Sequence, residues 1–114
     1  MLDNIPVLQQ DFTATGTGRA IAPLARLNWT HQVVLKTTAA APAAVSATLV
    51  AEGTNDPTGA TGWTAIATFP MTGTDTGSGV SDNTPPLQHT WARLRWRCTA
   101  LGANTAASAY SSGV

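Results

Sequence analysis

Between Trp91 and Ala100 the chain reads Trp-Ala-Arg-Leu-Arg-Trp-Arg-Cys-Thr-Ala, an unbroken alternation with period two. Successive side chains on a β-strand point to opposite faces, so Ala92, Leu94, Trp96, Cys98 and Ala100 share one face. Trp91, Arg93, Arg95, Arg97 and Thr99 share the other. A helix would scatter both sets around its circumference. The segment is therefore a strand with an apolar side and a wet side. Three of the chain's six basic residues stand in one row on the wet side. Guanidinium groups make a poor core and a good contact surface, so this strand sets the fold class and nominates the side that meets a partner.

The rest of the sequence reads the same way. Gln32 to Thr38 is rich in β-branched residues, and Val45 to Glu52 alternates, with Val45, Ala47, Leu49 and Ala51 on one face and Ser46, Thr48, Val50 and Glu52 on the other. The residues from Gly53 to Gly62 are dense in turn formers, and Trp63 to Phe69 follows as the second arm of a long-looped hairpin. A short strand is expected around Arg19 to Ala25, a long Gly/Thr/Ser/Asp-rich loop from Thr72 to Pro86, and a last strand from Ala106 to Ser112. Pro42 interrupts the alanine run from Ala39 to Ala44, which makes it a connection rather than a helix. Several short strands with no amphipathic helix predict an all-β fold, an antiparallel β-sandwich of jelly-roll or Ig-like type with six to nine strands. Residues 19–114 form this single domain in the prediction, preceded by an extended N-terminal arm over residues 1–18, where Pro6 and a Thr/Gly-rich stretch disfavour a helix.

Composition narrows the function. Charged residues are 11% of the chain, against roughly 25% in an average soluble domain, and the formal net charge is zero. Bulk attraction to nucleic acid or to an anionic membrane is not expected, and three arginines are a thin nucleic-acid footprint. No apolar run approaches the roughly 20 residues that cross a bilayer, and the first residues lack the basic-then-apolar pattern of a signal peptide. The single cysteine, Cys98, lies on the apolar face and reads as a buried hydrophobe. His31 and His89 stand apart without a motif. Asp56, Asp75 and Asp82 fall in loops, where carboxylates commonly bond their own turn, and they lack metal-ligand spacing. No nucleophile elbow, zinc, phosphate-loop or dinucleotide pattern occurs. The expectation is a non-enzymatic chain without cofactor or metal.

The order of features resembles a known group. Thr17-Gly18-Arg19-Ala20 and Gln32-Val33-Val34-Leu35 are followed by the hairpin strand Ala44 to Glu52, then Gly53-Thr54-Asn55-Asp56, and then Trp63 at the start of the next strand. The arginine-rich strand and the closing Thr-Ala-Leu-Gly-Ala-Asn-Thr-Ala turn come last. From about Thr17 onwards this is similar to the small β-sandwich virion proteins of tailed bacteriophages, of the head decoration or cement type. The resemblance implies a protein made in the host cytoplasm that binds the outer surface of the capsid, bridges major capsid proteins and stabilises the head. A homo-oligomer, dimer or trimer, is the expected form on that surface. The expected contacts are Leu2, Ile5, Val7, Leu8 and Phe12 of the arm, lying across a neighbour, and Trp91, Arg93, Arg95 and Arg97 of the wet strand face. On that face Trp91 is placed to stack on a guanidinium. Trp96 is expected in the core, and Trp63 at one end of it. Two other readings share the fold. A carbohydrate- or receptor-binding module of a tail fibre or secreted enzyme would stack Trp29, Trp63 and Trp91 on sugar rings, and is favoured if two of them lie on one open groove with polar side chains beside them. A tail or connector component would differ only in its place in the particle.

Overall fold

The computed structural model describes residues 7–22, 28–85, 87–88 and 91–113. Nine strands follow one another: β1 (Val7–Phe12), β2 (Gly16–Thr17), β3 (Asn28–Thr37), β4 (Ala43–Thr54), β5 (Thr64–Asp75), β6 (Val80–Asn83), β7 (Leu87–Gln88), β8 (Arg93–Leu101) and β9 (Thr105–Gly113). All pairing is antiparallel. One sheet has the order β1-β9-β3-β6, with β7 continuing along the same edge of β3 as β6; the other has the order β2-β8-β4-β5. The two sheets pack as a β-sandwich.

The pairs nest. β4 pairs with β5, β3 with β6 and β7, β2 with β8, and β1 with β9. The chain is thus one long antiparallel ribbon whose tip is the loop after β4. Rolling that ribbon brings β9 against β3 and β8 against β4, which is the strand order of a jelly roll. The choice left open between jelly-roll and Ig-like order is settled by these non-local pairings.

Inward-facing residues follow the alternation. On β4, Val45, Ala47, Leu49 and Ala51 are buried, and on β8 Leu94, Trp96 and Cys98. β9 buries every second residue, among them Ala107, Ala109 and Ser111. These small groups leave room for the indoles of Trp29 and Trp96, both fully buried. Trp96 joins the layers, meeting His31 of the opposite sheet edge-on at 5.9 Å and 78° and Phe69 at 5.7 Å. His31 is itself fully buried, and its Nδ1 lies 2.8 Å from Ser111 Oγ, a side-chain hydrogen bond inside the core.

Three expectations are corrected. The N-terminal arm does not extend to residue 18. β1 pairs with β9 through six register positions and buries Leu8 and Phe12 in the common core, while β2 pairs with β8. The alternation of Leu8, Gln10 and Phe12 is the sequence signal for this strand; the turn formers that follow had masked it. The stretch from Thr72 to Pro86 is not one long loop, because β5 runs to Asp75 and β6 starts at Val80. Asp75 closes the turn between them by accepting from the backbone N–H groups of Thr37, Gly77 and Gly79 at 2.8, 2.8 and 2.9 Å. Those bonds hold its carboxyl below the ordinary carboxylate range. Finally, the strand expected around Arg19 to Ala25 is, among the described residues, only a bridge between Ile21 and Leu94.

Candidate functional site: the outer face of β8 and β4

Alternation sends Arg93, Arg95 and Arg97 away from the core, onto the outer face of the β2-β8-β4-β5 sheet. The register sets Arg95 directly beside Glu52 of β4, and Arg97 beside Val50. Arg95 Nε donates to Glu52 Oε1 at 2.9 Å. Arg97 reaches diagonally, with Nε and Nη2 both 3.0 Å from Glu52 Oε2. One carboxylate therefore holds two guanidinium groups, and it is covered by them: the Glu52 side chain is 6% exposed, against 22% for Arg95 and 40% for Arg97. Val50 is 6% exposed on this outward face, beside the same arginine stems.

The loop after β4 completes the arrangement. Asp56 organises it, accepting from Thr58 N and Oγ1 at 2.9 and 2.8 Å and from the backbone N–H groups of Ala60 and Thr61 at 3.1 and 3.0 Å. The bonds from Thr58 come first in lowering its pKa, to about 2. The ordered loop turns Trp63 back over the sheet, where Nε1 donates to Gly59 O at 3.0 Å. The Arg95 guanidinium sits 4.0 Å from the centre of the Trp63 ring, a cation–π contact. Arg93 lies along the same loop, donating from Nε to Pro57 O at 2.9 Å. The result is a linked series, Trp63, Arg95, Glu52 and Arg97, with Arg93 and Trp63 each tied to the same loop.

The sequence placed the three arginines on one outward face, and the structure keeps them there. It does not place Trp91 with them. β8 starts at Arg93, and the bend at Ala92, whose N–H donates to Thr54 O at 2.9 Å, turns Trp91 toward the core. There its indole covers Gly53, a residue paired with the buried Leu94. A Cβ at position 53 would overlap the indole, so glycine is required by the close approach. The stacking partner of a guanidinium is Trp63, which lies on the outer face rather than capping the core. Leu8 and Phe12 are core residues and not contacts. Val7 pairs with Ser112 through its backbone, and Leu2, Ile5 and His89 lie outside the described residues.

Glu52 and Trp63 are the site residues that sequence reasoning missed. Glu52 was already assigned to the outward face of its strand; what was lacking was the adjacency of β4 and β8. An acid and a row of arginines on facing strands are a pairing signal only once those strands are known to be neighbours.

Shallow depressions of about 330, 560 and 410 Å³ lie around the turn between β8 and β9, lined by residues such as Ser46, Thr48, Thr72, Gly102 and Asn104 and by no titratable side chain. Among the described residues no group of three or more His, Cys, Asp or Glu is placed to hold a metal ion. Cys98 is buried, and burial pushes its thiol pKa up, away from the reactive thiolate. Trp29, Trp63 and Trp91 do not share an open groove: the first is in the core, the second lies under Arg95, and the third covers Gly53. No protein-family model, curated protein or solved structure matches the chain.

Proposed function

We propose that this chain is a virion structural protein of the capsid decoration type, which binds the outer surface of a phage head and bridges major capsid proteins through the outer face of β8 and β4. The three-arginine face, fixed around one buried carboxylate, is the observation that carries this reading. Ordered guanidinium groups lose less conformational freedom on binding than flexible ones do. Arginine is also enriched among the residues that dominate protein interfaces. The low charge of the chain and its depressions without titratable groups fit a purely associative role. Size is sufficient: the molecule is 20 Å thick but 41 by 35 Å across, and a standard interface needs roughly 800 Å² from each partner. The resemblance of the hairpin from Ala44 to Trp63 to phage virion proteins points the same way.

The arm mechanism is narrower than expected, because residues 7–17 belong to the sandwich. Attachment then depends on the sheet face, and weak single contacts gain strength from repetition on a lattice. The test is to add the purified protein to expanded, undecorated heads and to measure stoichiometry and thermal resistance. Saturable binding with a rise in the temperature of head disruption is expected. Absence of saturable binding overturns the proposal.

A further inference from the structure

The three arginines are not equivalent. Arg95 is occupied on both sides, by Glu52 at 2.9 Å and by the Trp63 ring at 4.0 Å. Arg93 donates only through Nε, to a backbone carbonyl, and no described residue accepts from its two Nη groups. Arg97 spends Nε and Nη2 on Glu52, is 40% exposed, and has no described acceptor for Nη1. Three Nη groups are therefore left without a described acceptor, two on Arg93 and one on Arg97, the residues that flank Arg95 on the outer face of β8. Their Cα atoms lie four positions apart along β8, a rise of about 13 Å at roughly 3.3 Å per residue, with the Arg93 side chain held toward Pro57 and that of Arg97 toward Glu52.

The two side chains are tied to different anchors, the Pro57 carbonyl and Glu52, so a ligand carrying two acidic groups suits them better than a single small anion. An extended polypeptide running along β8 repeats its side chains on one face with the same period, so acids four positions apart in such a segment meet both arginines. A nucleic-acid strand also carries repeated anions, but its affinity grows with the number of cations it meets, and here only two are available beside a buried carboxylate. Carboxylates also match the planar fork of arginine. Resting on the decoration reading, we propose that Arg93 and Arg97 form a two-point clamp for an extended acidic segment of the partner protein, with Glu52 and Trp63 as the positioning residues that hold Arg95 between them as a rigid spacer.

The full chain would be titrated, with backbone amide NMR as the readout, against two end-blocked peptides in a threonine/serine host. One carries two glutamates four residues apart; the other carries the same two adjacent. The spaced peptide is expected to bind weakly, shift the amides of β8 and β4, and bind about fivefold more tightly than the adjacent one. Arg93→Gln and Arg97→Gln should each remove that preference, while Arg97→Lys should retain part of it. Arg93→Gln touches only a loop carbonyl, so it remains informative if Arg97→Gln disturbs the fold. Equal binding of the two peptides, no binding of either, or tighter binding of a ten-residue oligothymidylate overturns the clamp. Heads separate the two proposals. Saturable head binding that is indifferent to Arg93→Gln and Arg97→Gln overturns the clamp and leaves decoration standing. Peptide discrimination without head binding supports the clamp and overturns decoration.

Discussion

Replacing Glu52 by Gln removes one negative charge, keeps the side chain's size, and leaves two guanidinium groups side by side without their shared acceptor. The cost lies between two limits. Breaking a fully buried ion pair costs about 3–5 kcal/mol, because the surviving charge is stranded without water. An exposed pair is worth about 0–1 kcal/mol. The Glu52 side chain is almost fully covered, which argues for the upper limit, but Arg95 and Arg97 are 22% and 40% exposed and can be rehydrated. A loss of about 2 kcal/mol follows, comparable with one charge-assisted hydrogen bond lost at a buried acceptor. For a 114-residue domain this is roughly 8 °C in Tm. Urea unfolding with an unchanged slope would measure it. Arg97→Gln should cost less, about 1 kcal/mol or below, since Glu52 keeps Arg95 and the removed group is the most exposed of the three. A loss below about 0.5 kcal/mol for Glu52→Gln, or one no larger than that for Arg97→Gln, would refute the claim that this carboxylate organises the outer face.

Further outcomes follow from other parts of the molecule. Because Asp56 is held at about 2 in the folded chain, its contribution to stability is complete above the ordinary carboxylate pKa near 3.8 and is lost as pH falls from there toward 2. The difference in urea midpoint between the native chain and Asp56→Ala should therefore be constant above pH 5 and shrink below pH 4; a pH-independent difference would contradict the assignment. Gly53→Ala places a methyl group inside the Trp91 indole and should cost about 1–3 kcal/mol, with a changed tryptophan emission spectrum as the sign that Trp91 has been displaced. Deleting the residues before Gly18 removes Leu8 and Phe12 from the core, at about 2–5 and 3–5 kcal/mol for side chains of these types, against a total stability of about 5–15 kcal/mol. The truncated chain should lose its cooperative thermal transition; a well-folded product would mean that β1 is dispensable.

The β-sandwich was legible because its signal is local. Alternation at Val45–Glu52 and Arg93–Cys98 fixes both the strand state and the buried face, since every second side chain must leave water together; past Cys98 the register with β4 shifts and Ala100, expected inward, is exposed. β4 and β8 were readable for that reason, as were the outward row of arginines and the inward positions of Trp96 and Cys98. β1 was hidden because its strand is short and is followed at once by a Thr/Gly-rich turn. Pairing with β9, almost the whole chain away, is what stabilises it. Trp91 was misplaced because alternation was extended two residues beyond the true start of the strand, past a bend that depends on a bond to Thr54.

Sequence by itself determined which side chains leave water together, because that choice repeats every two residues and needs no knowledge of neighbours. Tertiary structure alone decided which strands lie side by side. The rolled ribbon brings Glu52 to Arg95 and Arg97 across more than forty residues of chain, and carries Trp63 back over Arg95. A row of like charges on one strand becomes an ordered surface only when the fold supplies the opposite charge from another. Periodicity within a strand carries no information about that partner.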